Sequence, residues 1–272
     1  MAAVRSAVGW RLVPYVPLVL LALSATFRAA APIALAGLTA GFIALRAVGR
    51  PVPAAAWAAA IPVAVSLSWS LVQLPADATD GSTCSSPTAP FAVWRAVEAV
   101  MTLGTIALLV PLVGGGGGAL GLRRPSRRVG AVAVLAFLVA GPSGLLLGPW
   151  LSEPFFGPIG IDLGDPLALV PASVFAISNG LMEEIAYRGS LQAWTARSTG
   201  VPYAIVGQAV VFGLAHAAGP DVGGAPALLW AGMAGGGLAA GILVWRTGSL
   251  AVPIAAHIGF DLPLYYGNAC RV

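Results

Sequence analysis

The sequence predicts an all-α, polytopic transmembrane helical bundle of about eight or nine spans, and two observations carry that expectation. The 272-residue chain is 58% hydrophobic and only 9% charged, with a mean hydropathy of +0.89. Its apolar runs recur at lengths near the roughly twenty residues that a helix needs to cross a bilayer. No strand-length alternation of apolar and polar residues repeats along the chain. Helices, which satisfy their own backbone hydrogen bonds in lipid, are therefore the expected spans, and barrel strands are not. A soluble domain of this length needs a far larger polar surface.

The spans follow in order at about 12–27, 29–45, 52–74, 91–113, 130–150, 168–191, 200–218, 226–245 and 249–268. Arg5 and Arg11 precede the first, as in a signal peptide. That run lacks a small-residue cleavage site and leads into further spans, so a retained helix is expected. The first two spans crowd around Arg28 and suit a tight hairpin. Pro51 and Pro53 open the third, and the glycine run 114–118 separates the fourth from the fifth. In the fourth, Glu98 lies one turn from Arg95, a spacing suited to a structural pair. The seam near Gly160–Asp165 opens the half that carries the chemistry. It divides the chain into N-terminal helices over 1–160, to which no motif assigns a role, and a core over 161–272. The halves share no visible repeat, unlike those of an inverted-repeat transporter.

Charge placement orients the bundle. All fourteen basic residues are arginine. With the N-terminus on the cytoplasmic side, Arg46, Arg50, Arg123, Arg124, Arg127, Arg128, Arg197 and Arg246 fall inside. Asp77, Asp80, Glu153, Asp162 and Asp165 fall outside. Arg28 and Arg271 are the exceptions. The expected location is the cell membrane, with several passes and the lipid bilayer as the first partner. The pI near 9.6 does not imply nucleic acid, because the arginines sit between spans and form no stripe with interleaved aromatics. Cys84 and Cys270 make no zinc-ribbon spacing. Both fall on the outer side, where a disulfide or two free thiols are open.

One stretch breaks the apolar pattern: Leu181-Met182-Glu183-Glu184-Ile185-Ala186-Tyr187-Arg188. At about 100° per residue, Glu184 and Arg188 share a helical face and can pair. Glu183 lies about 140° round from Arg188. A carboxylate without a partner at membrane depth is expensive unless it faces a polar cavity and has a role there. The two histidines of the chain, His216 and His257, also fall inside expected spans in the same half. A buried histidine is usually a satisfied core residue, but these two lie near the intramembrane carboxylate pair, which argues for a site. From the turn at 198–200, Glu184 lies roughly 21 Å back along one helix and His216 roughly 24 Å forward along the next. From the turn near Gly248, His257 rises roughly 14 Å and Asp261 roughly 20 Å. These depths are compatible with one cavity. Phe212 shares a face with His216, where ordinary helix packing explains it. Asp261 shares a face with His257, as a polar partner or a residue at the water interface.

Glu183-Glu184-x-x-x-Arg188, Phe212-x-x-x-His216 and His257-x-x-x-Asp261, in this order on separate apolar helices, resemble the three motifs of the CPBP intramembrane proteases. That family includes the type II CaaX prenyl endopeptidases and the bacterial Abi or bacteriocin-processing relatives. The resemblance covers roughly 165–268. It implies an intramembrane endopeptidase that acts on a membrane-associated protein or peptide. In that reading Glu183 activates water as general base with help from His216. Glu184 pairs with Arg188 and braces the helix, and His257 stabilises the oxyanion of the tetrahedral intermediate. The last motif position is often asparagine in the family and is Asp261 here. An ionised aspartate cannot donate to an oxyanion, so Asp261 would instead orient His257, or donate only if burial keeps it protonated.

No cofactor is required by this scheme. Zinc or another divalent metal on Glu183, His216 and His257 is the other mechanism the same residues allow, with one coordination position left open. Two readings outside proteolysis also use these residues: a non-catalytic membrane scaffold or immunity protein that retains the fold, and a proton-coupled transporter with Glu183 and the histidines as a relay. The substrate, and any prenyl recognition, are not written in these motifs.

Overall fold

A computed structural model describes residues 54–72, 88–113, 124–156, 166–217 and 226–267, with two short strands and a few single residues outside those ranges. The described helices are α1 (Ala54–Ala58), α2 (Ala60–Leu71), α3 (Thr88–Leu109), α4 (Arg127–Phe156), α5 (Leu169–Glu183), α6 (Ala193–Thr199), α7 (Val201–Ala217), α8 (Pro226–Thr247) and α9 (Ala251–Gly267). Strands β1 (Ile159–Gly160) and β2 (Cys270–Arg271) make one two-residue antiparallel pairing, and the architecture is otherwise helical.

Among the described residues four helical stretches are long and apolar enough to cross a membrane: 92–113, 127–151, 166–199 and 227–247. The expected spans at 52–74 and 200–218 take the form of shorter apolar helices, Ala60–Trp69 and Val201–His216. The expected span at 249–268 is α9, of 17 residues. It carries His257 and Asp261 and packs mainly between α4 and α5, so it is an inner element with a polar face. The expected spans at 12–27 and 29–45, and the Cys84–Cys270 pairing, lie outside the described residues.

Local sequence accounts for the elements that frame the site. The α4 helix begins where the Ser126 hydroxyl caps the N–H of Val129 at 3.3 Å. It then runs apolar on every side, with Val134, Leu138, Leu146 and Trp150 exposed. Such a helix suits hydrocarbon as its neighbour. The α5 helix continues without a break through the π-helical segment Glu184–Gln192 into α6. The Ser190 hydroxyl donates to the Ile185 carbonyl five residues back at 2.9 Å, matching the wider turn. The turn into α7 is Gly200 at φ +85°, a conformation that side chains with a Cβ rarely adopt.

The π segment lies in the main core, where Ile185, Ala186, Tyr187 and Leu191 pack with Trp57, Ile61, Ile106, Trp194, Val211 and Phe212. The α9 helix seats on α5 and α4. At Gly180 a Cβ would fall 2.8 Å from Ile258 Cγ1, so the close approach of α5 and α9 needs glycine there. On the other side α8 and α7 pack together, with Gly237 against Ala209 and Phe212. Gln208 and Gln192 donate to the Gly237 and Gly241 carbonyls at 2.7 and 3.1 Å. These amide contacts tie α8 to its neighbours, as polar side chains do between membrane helices.

Candidate active site

Three helical stretches bring the charged residues together. Glu183 and Glu184 come from the junction of α5 with the π segment, His216 from the end of α7, and His257 and Asp261 from the middle of α9. Glu184 takes the role expected from helical spacing. Its Oε1 accepts from Arg188 Nη1 at 3.0 Å, with both side chains buried. The four-residue spacing works here inside a π-helical segment. The same Oε1 lies 3.0 Å from His257 Nδ1, a contact no local spacing announces. A carboxylate held by arginine accepts and does not donate, so His257 carries a proton on Nδ1.

Glu183 faces away from Arg188 and toward the histidines. Its buried Oε2 stands 3.8 Å from His216 Nε2 and 3.7 Å from His257 Nε2, and has no direct hydrogen-bond partner among the described residues. These separations are too long for direct hydrogen bonds. His216 Nδ1 lies 2.8 Å from the Phe212 carbonyl. A carbonyl only accepts, so Nδ1 holds the proton and the Nε2 of neutral His216 presents its lone pair toward Glu183. Phe212 does more than fill a helix interface. Its ring lies 4.4 Å from the His216 ring and 4.3 Å from the Arg188 guanidinium carbon, and it meets Tyr187 edge-on at 5.0 Å.

Asp261 does not orient His257 by a direct bond, because its Oδ2 is 3.5 Å from Nε2. Its partner is Asn179, whose amide nitrogen donates at 2.7 Å. Asn179 was not among the residues picked out by motif. Its signal was its place four residues before Glu183 on the same helical face. The α5 and α9 helices in fact carry matched series at that spacing. Phe175 stacks on Tyr265 with ring centroids 3.6 Å apart, Asn179 meets Asp261, and Glu183 faces His257. Beyond the aromatic rung, the Arg95 guanidinium carbon lies 5.1 Å from the Phe175 ring and 5.5 Å from the Trp69 ring. Arg95 pairs with Glu98 at 2.8 Å, the structural pair expected of these residues.

The metal alternative calls for Glu183, His216 and His257 as ligands. Zinc bonds of about 2.0–2.1 Å would set tetrahedral donors roughly 3.3–3.4 Å apart, closer than the 3.7 and 3.8 Å found from Glu183 Oε2. Among the described residues no group of three or more His, Cys, Asp or Glu side chains takes a metal-holding arrangement.

No curated protein and no solved structure matches the chain. A family model does, over residues 165–263, a stretch that contains Glu183, His216, His257 and Asp261. Over that stretch the chain is similar to the Rce1-like type II CAAX prenyl endopeptidases, in agreement with the resemblance its three motifs carry.

Proposed function

We propose that this protein is an intramembrane endopeptidase that hydrolyses a peptide bond in a membrane-associated protein or peptide, with residues 161–272 as its proteolytic core. One observation carries the reading. A buried carboxylate oxygen, Glu183 Oε2, without a direct partner, faces two imidazole Nε2 atoms at 3.7 and 3.8 Å. A water molecule donates two hydrogen bonds, and Glu183 Oε2 and the Nε2 lone pair of His216 are placed to accept them. Glu183 takes the water proton while the water oxygen bonds to the peptide carbonyl carbon. His216, fixed by the Phe212 carbonyl, holds the attacking water with its Nε2 lone pair.

The carbonyl oxygen then carries negative charge. His257 lies beside Glu183 and meets this oxyanion once Glu183 has passed the water proton to its Nε2, while its Nδ1–H continues to donate to Glu184. The intermediate collapses as the C–N bond breaks, and the proton taken from water passes to the leaving nitrogen. The products are a new carboxyl group and a new amine. Arg188 neutralises Glu184 and keeps that carboxylate fixed as an acceptor. An extended substrate segment is required, because a helical peptide bond is shielded by its own backbone.

The test is comparative membrane peptidomics of cells that make the natural protein and cells that make the Glu183→Ala protein at equal levels. Cleaved fragments of a membrane-associated protein, present only with the natural protein, are the expected result. Identical fragment sets, together with full turnover by purified Glu183→Ala protein, would refute the role of Glu183. Metal content adds an independent arm. Stoichiometric metal, with activity lost on its removal and restored on its return, would replace the metal-free scheme.

A further inference from the structure

We infer that Asn179 is a positioning residue of this site, which fixes the ring and the tautomer of His257 from the side opposite Glu184; the inference rests on the proposed proteolytic reading for its consequence, but not for its geometry. Asn179 is buried, and its Nδ2 lies 2.7 Å from Asp261 Oδ2 and 3.3 Å from His257 Nε2. The carboxylate decides which way the amide points. With the amide turned over, its oxygen would stand at that short distance from another oxygen acceptor. The nitrogen therefore faces Asp261, and its second hydrogen is left to face His257.

His257 is then held at both ring nitrogens. Nδ1–H donates to Glu184 Oε1 at 3.0 Å, and Nε2 receives the amide N–H of Asn179. Neutral imidazole has one donor and one acceptor, and only the tautomer protonated on Nδ1 satisfies both neighbours. Asp261 acts on His257 through Asn179. It anchors the amide by the shortest contact of the group, while its own oxygen stays 3.5 Å from Nε2. The close approach of α5 and α9 at Gly180 brings the two helices within reach of this rung.

The chain contains two histidines, so its imidazole nitrogen spectrum is simple. In 15N-histidine-labelled protein in lipid or detergent, at a pH where His257 is neutral and with the His216→Gln protein used for assignment, His257 should show a protonated Nδ1 and an unprotonated Nε2. In Asn179→Ala protein that pattern should give way to a mixture of tautomers. Turnover number should fall by about 10- to 100-fold, the usual loss when the partner that orients a functional histidine is removed, with KM little changed. Asn179→Asp should lose as much, because it sets two carboxylates against each other. The exchanged pair, Asn179→Asp with Asp261→Asn, should not recover turnover, because it removes the clash of carboxylates but sets a carboxylate, and not an amide N–H, beside Nε2.

A natural protein whose neutral His257 carries its proton on Nε2 would overturn the inference without any variant having to fold. So would an Asn179→Ala protein with unchanged tautomer signals and turnover. The proteolytic reading fails separately. If Glu183→Ala retains full turnover while Asn179→Ala still changes the His257 tautomer, the positioning stands and its catalytic consequence falls.

Discussion

Along 127–151 only 11% of the most apolar window is buried, whereas along 166–199 the share is 44%. Both stretches are long enough to cross a bilayer. The first presents Val134, Leu138 and Leu146 outward. The second buries Asn179, Glu183, Glu184, Arg188, Ser190 and Gln192. The contrast separates two uses of hydrophobicity in one bundle. On the outward face of α4 exposed apolar side chains suit hydrocarbon, where nothing specific is asked of them. In α5 and the π segment, apolar neighbours exclude water from a polar group whose members must satisfy one another, since each charge left unpaired there costs several kcal/mol. Glu184 is held through Oε1 by Arg188 and His257; its Oε2 and that of Glu183 have no hydrogen-bond partner among the described residues, and Glu183 Oε2 faces both histidines.

Substitutions can break or sharpen this contrast. Glu183→Gln should lower peptide-bond turnover by about 10²- to 10⁴-fold, the usual worth of a general base. Its melting temperature in detergent should not fall, because no hydrogen bond of Glu183 Oε2 is lost. A Glu183→Gln protein that melts at a lower temperature but keeps its specific activity would make Glu183 a structural residue. Arg188→Ala should show the reverse order of effects. It leaves Glu184 charged and buried, which costs about 3–5 kcal/mol when a buried pair is broken. The yield of folded protein and its denaturation midpoint should both drop, with activity falling as a consequence.

Gly180→Val should be milder, at about 1–3 kcal/mol for overpacking against Ile258. Denaturation read alongside turnover checks it: turnover should fall by more than stability, because the change forces α9 and His257 away from Glu183. The smallest effect should come from α4. Leu146→Ala, at a position 74% exposed, should change stability by less than about 0.5 kcal/mol and leave turnover unaltered. A large loss at Leu146 would mean that this face of α4 meets protein and not lipid.

Much of the site was legible in local spacing. Glu184 and Arg188 are four residues apart, and so are His257 and Asp261, and each spacing follows from helical periodicity alone. The depth estimates from the turns near Gly200 and Gly248 set Glu184 and His216 at similar height and were compatible with one cavity shared with His257 and Asp261. The family model over 165–263 agrees with what the three motifs resemble. Other relations had no local signal. The bond from His257 to Glu184 joins residues 73 apart, and that between Asn179 and Asp261 joins residues 82 apart. Periodicity along one helix cannot say which face of another helix will meet it. The expected spans also had lengths read from hydropathy, which does not distinguish an apolar helix in lipid from one packed inside the bundle. The α7 and α9 helices have 17 residues each, and among the described residues four stretches are long and apolar enough to cross a membrane.

By itself the sequence determined that the chain is helical and built for a membrane, that Glu184 belongs to Arg188, and that Glu183 must look elsewhere. Those conclusions depend on hydropathy and on a helical repeat, both of which are properties of neighbouring residues. Tertiary structure alone decided where Glu183 looks, that Glu184 also holds His257, and that Asn179 stands between His257 and Asp261. The physical reason is that hydrogen bonds at about 3 Å require helices to be set in a particular register and separation. Here that register is set by the glycine contact at Gly180 and by the packing of α9 between α4 and α5.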